Sequence, residues 1–208
     1  MSESKAYWEA YYANHKEPKN ESMFARFVKP FLHSQKSLYE LGCGNGRDSI
    51  FFAKEGVNVT GFDQCNNEID YLNTKFEDFE NISFEEGDFT SLGSKPKAQY
   101  IYSRFTLHSI NLESEIRTLN WVTNHLLPSG LFFIEVRSIK DELYGIGNEV
   151  EKDAFVTDHY RRFLELNSFI ERIKDAGLNV LYKIQSRGLA PFKTEDPEVI
   201  RIIAQYNS

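Results

Sequence analysis

Three features of this 208-residue chain predict an α/β fold with a mainly parallel, doubly wound sheet. Short apolar runs alternate with amphipathic segments between about residues 36 and 136, the pattern of strand–helix units that place helices on both faces of a sheet. The first run ends at Glu40-Leu41 and leads directly into Gly42-Cys43-Gly44-Asn45-Gly46, after which a helical pattern begins. Strand, glycine turn and helix N-terminus in that order form a nucleotide-type binding loop. Asp63 closes the next apolar run, 21 positions after Gly42, about the separation that brings a carboxylate to a ribose in such folds.

The elements follow in order. Residues 4–14 read as a short aromatic helix carrying Tyr7, Trp8, Tyr11 and Tyr12, and His15 to Glu21 as a polar turn containing Pro18. Ser22 is placed to cap a helix whose Phe24, Phe27, Val28 and Phe31 share one face. The first strand spans 36–41 with its helix at 47–55, closed by Gly56. The second spans 57–62, with a helix over 66–79. The third, Ile82 to Glu86, runs into Gly87-Asp88-Phe89. The fourth covers 98–103. A long helix over 113–126 is stopped by Pro128-Ser129-Gly130, and the fifth strand is the apolar run 131–136. Residues 138–160 are polar and irregular, with Gly145 and Gly147; a loop of that length points to a functional role or a lid. A helix over 165–176 ends at Gly177. Two last strands, 179–186 and 198–206, have no helix between them and form an antiparallel hairpin around Gly188 to Phe192. Lys193-Thr194-Glu195-Asp196-Pro197 reads as a polar turn.

Length suits one domain over 1–208, with a helical cap at 1–34 and an insertion at 138–160. Formal net charge is −7, which disfavours a nucleic-acid partner through overall repulsion. No apolar run approaches the roughly 20 residues of a membrane span, and Met1 to Lys5 leads into an aromatic, polar segment unlike a secretory leader. The two cysteines, Cys43 and Cys65, suggest neither a disulfide framework nor a metal site, and a reducing cytoplasm is the simplest expected setting.

The glycine spacing narrows the ligand. A dinucleotide loop runs G-x-G-x-x-G, and here its third glycine would fall on Arg47. The pattern is instead E-x-G-x-G-x-G from Glu40 to Gly46. It resembles motif I of the class I S-adenosylmethionine (SAM) methyltransferases, and the resemblance covers roughly residues 37–137. It implies a Rossmann-like seven-stranded sheet of order 3-2-1-4-5-7-6, the last pair antiparallel, with SAM as cofactor and S-adenosylhomocysteine (SAH) as product. It implies further that Gly42, Gly44 and Gly46 contact the methionine moiety, with Glu40 shaping that pocket. Asp63 takes the ribose hydroxyls, and Asp88-Phe89 read the adenine, a mere turn residue being the lesser alternative for Asp88. Cys43, Gln64 and Ser103 complete the cofactor set. Tyr11 or Tyr12 is expected to close the pocket from the N-terminal helix, Tyr12 being counted with the cofactor set; the aromatic rings of that helix serve either to cover the sulfonium or to pack on the sheet flank.

Other segments are similar to a subgroup of small bacterial methyltransferases, including tellurite-resistance-like ones: Tyr7-Trp8 with Tyr11-Tyr12, Arg104-Phe105-Thr106-Leu107-His108, Glu135-Val136-Arg137-Ser138, and His159-Tyr160-Arg161-Arg162-Phe163. That resemblance loosely suggests sugar or surface-polysaccharide modification. The Asn/Asp-Pro-Pro-aromatic motif of methyltransferases acting on planar amino groups is missing after the fourth strand. His108 stands there instead, with three readings: a general base that deprotonates a hydroxyl, an orienting donor to an acceptor already anionic, or a histidine that only hydrogen-bonds within the loop or caps the next helix. Arg104, Arg137, His159 and Arg161 are candidate contacts to a small anionic acceptor, salt bridges to nearby acids being the alternative. In Arg161-Arg162 at least one side chain is expected to face solvent. The expected reaction is O-methylation of a small anionic or sugar-linked acceptor. An amine, thiol or metalloid oxyanion acceptor, or a non-catalytic SAM-binding module, is the alternative.

Overall fold

The computed structural model describes residues 3–15, 17 and 20–207; Pro18 and Met1-Ser2 lie outside the described residues. Seven strands form one sheet: β1 (Ser37–Leu41), β2 (Asn58–Asp63), β3 (Ile82–Glu86), β4 (Ala98–Arg104), β5 (Leu126–Arg137), and the closing pair β9 (Leu178–Ser186) and β10 (Val199–Tyr206). Their order is β3-β2-β1-β4-β5-β10-β9. The first five pair in parallel, and β10 runs antiparallel to both β5 and β9. This is the 3-2-1-4-5-7-6 order that the resemblance implies.

Two-residue alternation divides the strands between two cores. On one side Leu41, Phe62, Ile101, Phe132 and Ile134 meet Leu119 and Val122 of α5 (Leu112–His125) and Phe169 and Ile173 of α6 (Leu166–Asp175). On the other, Leu38, Val59, Tyr102 and Phe133 meet Phe24 and Val28 of α2 (Met23–Val28) and Phe52 of α3 (Arg47–Lys54). A smaller core joins Ile50 of α3, Ile69 and Leu72 of α4 (Asn66–Lys75), and Phe84 of β3. Ser22 caps α2 by accepting from the Ala25 N–H and also donates to Asp48 in the first turn of α3 at 2.7 Å. Asn111 caps α5, and α6 gives way to Gly177, whose φ of +87° suits the left-handed exit.

The parallel strands all deliver their C-terminal ends to one edge, the edge where open α/β sheets bind ligands. Across that edge Glu135 lies in register with Arg104 on β4 and Arg201 on β10, and all three are held in one charged row. Arg104 and Arg201 approach Glu135 at 3.0 and 2.7 Å.

The 138–160 segment differs from its expectation. It folds into a second sheet, β6 (Asn148–Glu151), β7 (Ala154–Val156) and β8 (Tyr160–Arg162), in antiparallel order. Its roots are clamped where Ser138 bridges Leu164 and the Leu164 N–H donates to the Arg137 carbonyl at 3.0 Å. Nor does either arginine of the 161–162 pair point to open solvent. Arg162 is buried against Glu115 of α5 and donates to the Ile110 carbonyl at 3.0 Å, fastening β8 to the main domain.

Candidate active site

The glycine loop takes its shape from three left-handed residues, with φ of +73° at Gly42, +52° at Gly44 and +73° at Gly46. An alanine at Gly42 would collide with the Thr106 methyl group. One at Gly44 would place Cβ 2.6 Å from Cζ of Tyr12. Gly46 instead packs away from the edge, where a Cβ would press on Phe84 at 3.0 Å and Leu72 at 3.2 Å. Gly42 and Cys43 therefore form the open floor, Gly44 lies beneath the Tyr12 phenol, and Gly46 fits the start of α3 to its neighbours.

Asp63 is buried at the end of β2. Its Oδ2 accepts from the Gly44 N–H at 2.9 Å and its Oδ1 from the Cys65 N–H at 3.0 Å. An ionised carboxylate has about four acceptor positions, so the group ties the loop together and still has capacity for hydroxyl donors. Burial, and then the Asp63 charge, pushes the Tyr12 phenol well above its ordinary value, so Tyr12 is a proton donor. Glu40 accepts from Ser49 Oγ at 2.5 Å; burial and the neighbouring Asp48 push its carboxyl well above the usual range. Asp88 accepts from the Thr90 N–H at 2.9 Å, and Asp88, Phe89 and Gln64 all line the same cavity. Ser103 lies beneath it. Fully buried, its hydroxyl pairs at 2.5 Å with that of Thr106, which takes the wall position instead.

Beyond the end of β4 the chain turns sharply at Phe105, a non-glycine residue with φ of +58°. Its ring carries the Arg104 guanidinium 4.4 Å and the Arg137 guanidinium 5.7 Å from its centroid. His108 lines the cavity in the short helical turn that follows. Its Nδ1 accepts from the Arg137 backbone N–H at 3.3 Å, which places the proton of the neutral ring on Nε2. Burial, and then Arg137, Arg161, His159 and Arg104, hold its pKa well below the ordinary histidine value, so the ring is neutral.

Arg137 ends β5 and is nearly buried. Asp141 grips one nitrogen with both oxygens at 3.0 and 3.1 Å, and Glu195 takes another at 2.9 Å. Arg161 donates to Asp158 at 2.8 Å and to Thr157 at 2.7 Å. The expected arginines do gather at one rim, each paired with an acid of the chain itself.

The roof has two parts that meet over the cleft: α1 (Glu3–Ala13) and the turn between β7 and β8. Tyr7 donates to Asp158 at 2.8 Å. The His159 ring sits 4.5 Å from that of Tyr7 and 5.1 Å from that of Trp8. Burial, and then Arg161, lowers the His159 pKa to about 4. The aromatic helix thus packs on the insertion and reaches the cofactor end through Tyr12. Together these parts enclose a cavity of about 1380 Å³ running from Gly42 and Asp63 to Arg137 and Phe192.

A family model for the methyltransferase domain matches residues 12–183. The chain belongs to the methyltransferase-domain family. With its strand order, this makes it a class I SAM-dependent methyltransferase. Among similar solved structures, a SAM-dependent methyltransferase from Methanosarcina mazei has a TM-score of 0.76 at 16% identity, over 87% of this chain and 97% of that one. A TehB-like methyltransferase from Corynebacterium glutamicum has 0.70 at 19% identity, over 98% and 99%. A 1,6-didemethyltoxoflavin-N1-methyltransferase from Burkholderia thailandensis, with bound 1,6-didemethyltoxoflavin and S-adenosylhomocysteine, has 0.74 at 15% identity, over 99% and 90%. No curated protein matches the chain.

The methyltransferase's glycine loop and acids fit SAM. The left-handed glycines strip Cβ from the floor, Asp63 can accept from ribose hydroxyls, and Asp88 can accept from an exocyclic amine. Pockets for drug-sized ligands run to about 300–1,000 Å³, so this larger cavity has room for cofactor and acceptor together. Three wall residues have no sequence signal that singles them out. Thr106 replaces Ser103 at the wall, Phe105 supports two arginines, and Glu195 stands in what reads as a polar turn. The turn at Glu195 forms as its sequence suggests, but the partner of that side chain lies 58 positions away.

Proposed function

We propose that this methyltransferase acts on an oxygen of a small anionic acceptor, with His108 as the hydrogen-bond donor that orients it. The observation that carries the reading is the fixed tautomer: Nδ1 of His108 is taken by the Arg137 N–H, so Nε2 bears the proton. A neutral ring in that form donates at Nε2 and has no free nitrogen there to take a proton. The arginines that oppose an imidazolium favour a negatively charged oxygen in its place. The nucleophile therefore enters already ionised, as a carboxylate or an acidic phenol does, and a sugar-linked acceptor belongs to this class when it carries such a group.

When bound, SAM supplies the methyl group from its sulfonium. Gly42, Cys43 and Asp63 hold its methionine and ribose portions, Gln64, Asp88 and Phe89 take the adenine end, and Tyr12 donates from the roof. Arg104, Arg137 and Arg161 bring guanidinium donors to the other end of the cavity, each aligned by an acid of the chain, and the neutral His159 ring lies beside them. Tyr7 and Trp8 with the β7–β8 turn exclude water and hold the reactants at close range, where much of the rate arises.

The test is an acceptor panel of small phenols, carboxylic acids, amines and thiols, with SAH release as readout. Turnover confined to amines would overturn the reading in favour of N-methylation, the reaction named for the didemethyltoxoflavin enzyme. On the best acceptor, His108→Gln, which keeps a donor near the Nε2 position, retains activity within about tenfold. A loss of about 10²–10⁴-fold, the scale of a missing general base, would return His108 to proton abstraction.

A further inference from the structure

The two carboxylates on Arg137 are unlike each other. The Asp141 side chain is 1% exposed, grips the guanidinium with both oxygens and accepts from the Leu143 N–H at 2.9 Å. The Glu195 side chain is 56% exposed. It rides a small hairpin in which Phe192 and Glu195 exchange backbone hydrogen bonds at 2.8 and 2.9 Å, with Lys193 at φ +55° between them. One acid is a fixed part of the fold. The other sits on a surface turn and is presented into the cavity.

Asp141 alone balances the charge of Arg137, so folding does not require a second carboxylate there. An ion pair with so exposed a partner is worth little against solvent and competing anions. Yet Glu195 demonstrates that a carboxylate fits on the free side of the guanidinium at a charge-assisted distance of 2.9 Å, and the same guanidinium lies 5.7 Å from the centroid of the Phe105 ring.

We propose that Glu195 is an internal stand-in for the acceptor: the acceptor carries a carboxylate next to an apolar or aromatic body, and this carboxylate displaces Glu195 from Arg137. The exchange conserves charge, leaves Arg137 aligned by Asp141 before and after, and releases Glu195 to water. It sets specificity as well. A neutral analogue cannot replace the contact it would break, so it is rejected. The proposal rests on the reading of this end of the cavity as the acceptor compartment.

Calorimetric titration of benzoate into the SAH-saturated enzyme tests it, with wild type, Glu195→Gln and Glu151→Gln in parallel. Glu151 is a cavity-wall acid outside the ion pairs of Arg137. Removing the internal competitor is expected to tighten benzoate binding about 3–5-fold in Glu195→Gln, the upper scale of an exposed ion pair. Glu151→Gln stays within about twofold of wild type, and benzamide, which cannot replace the contact it breaks, binds wild type at least about tenfold more weakly than benzoate does. Glu195→Ala behaves as Glu195→Gln does. Equal benzoate affinity in wild type and Glu195→Gln, no benzoate binding to either, or an equal gain in Glu151→Gln would each overturn the proposal. So would a marked preference of Glu195→Gln for phenyl phosphate over benzoate. The SAH affinity measured at the start of each titration reports separately on the cofactor site, and the acceptor panel reports separately on O-methylation.

Discussion

Asp63→Ala removes one side chain from two jobs, and the two can be measured apart. The carboxylate accepts from the Gly44 and Cys65 N–H groups at 2.9 and 3.0 Å in a buried setting. Alanine leaves both donors without that acceptor, and an unsatisfied buried donor costs about 1–3 kcal/mol. The ligand-free protein should lose about 2–4 kcal/mol, allowing for partial rescue by water. In a chain of this size each kcal/mol moves the melting temperature by about 2–4 °C, so the expected fall is about 5–15 °C. Binding suffers in addition, because the ribose hydroxyls lose their acceptor. SAH affinity measured calorimetrically, below the melting temperature of the variant, should drop at least about 30-fold. Asp63→Asn separates the effects: it retains one acceptor oxygen, recovers part of the stability, and still binds SAH poorly. An unchanged melting temperature would refute the loop-tying role. Unchanged SAH affinity in a folded variant would refute the ribose assignment.

Two further perturbations address the roof. His159 has a folded pKa near 4 against about 6.5 when unfolded. The unfolded chain therefore binds more protons between these values, and stability is full above about pH 6.5 and lost as pH falls through 4. With allowance for solvent screening the loss is about 1–2 kcal/mol. Urea unfolding at pH 7 and pH 4.5 should show it in wild type and show much less of it in His159→Gln; equal slopes in the two would remove His159 from the account. Arg162→Met breaks the buried contact to Glu115 while Arg172 still holds that acid at 2.5 Å. A cost of about 3 kcal/mol is expected, read as a lower denaturation midpoint. A change under about 0.5 kcal/mol would mean that β8 is held by other contacts.

Much of the fold was legible because parallel strands buried on both faces must be short and apolar, and Leu38, Ile101 and Phe132 sit in such runs. The loop at Gly42 was legible because its residue types follow from backbone conformation: the φ values at Gly42, Gly44 and Gly46 are ones that side chains resist. The small second sheet was not. All four residues of β6 are exposed and two are glutamates, so no hydrophobic period marks it. The charge pairing at Arg137 was hidden for another reason. Asp141 lies four positions away, but Glu195 comes from the far end of the chain, and only the β5–β10 pairing brings the two together. The proton position on His108 depends on one backbone N–H and could not be read from residue types. The same limit explains Ser103, which alternation on β4 turns into the core while Thr106 takes the wall.

A crystal structure of the enzyme with SAH would decide the site. The expected arrangement has the ribose on Asp63, the adenine against Asp88 and Phe89, and the sulfur facing the compartment of His108 and Arg137. A sulfur turned away from His108, or SAH bound outside the Gly42–Asp63 corner, would contradict it.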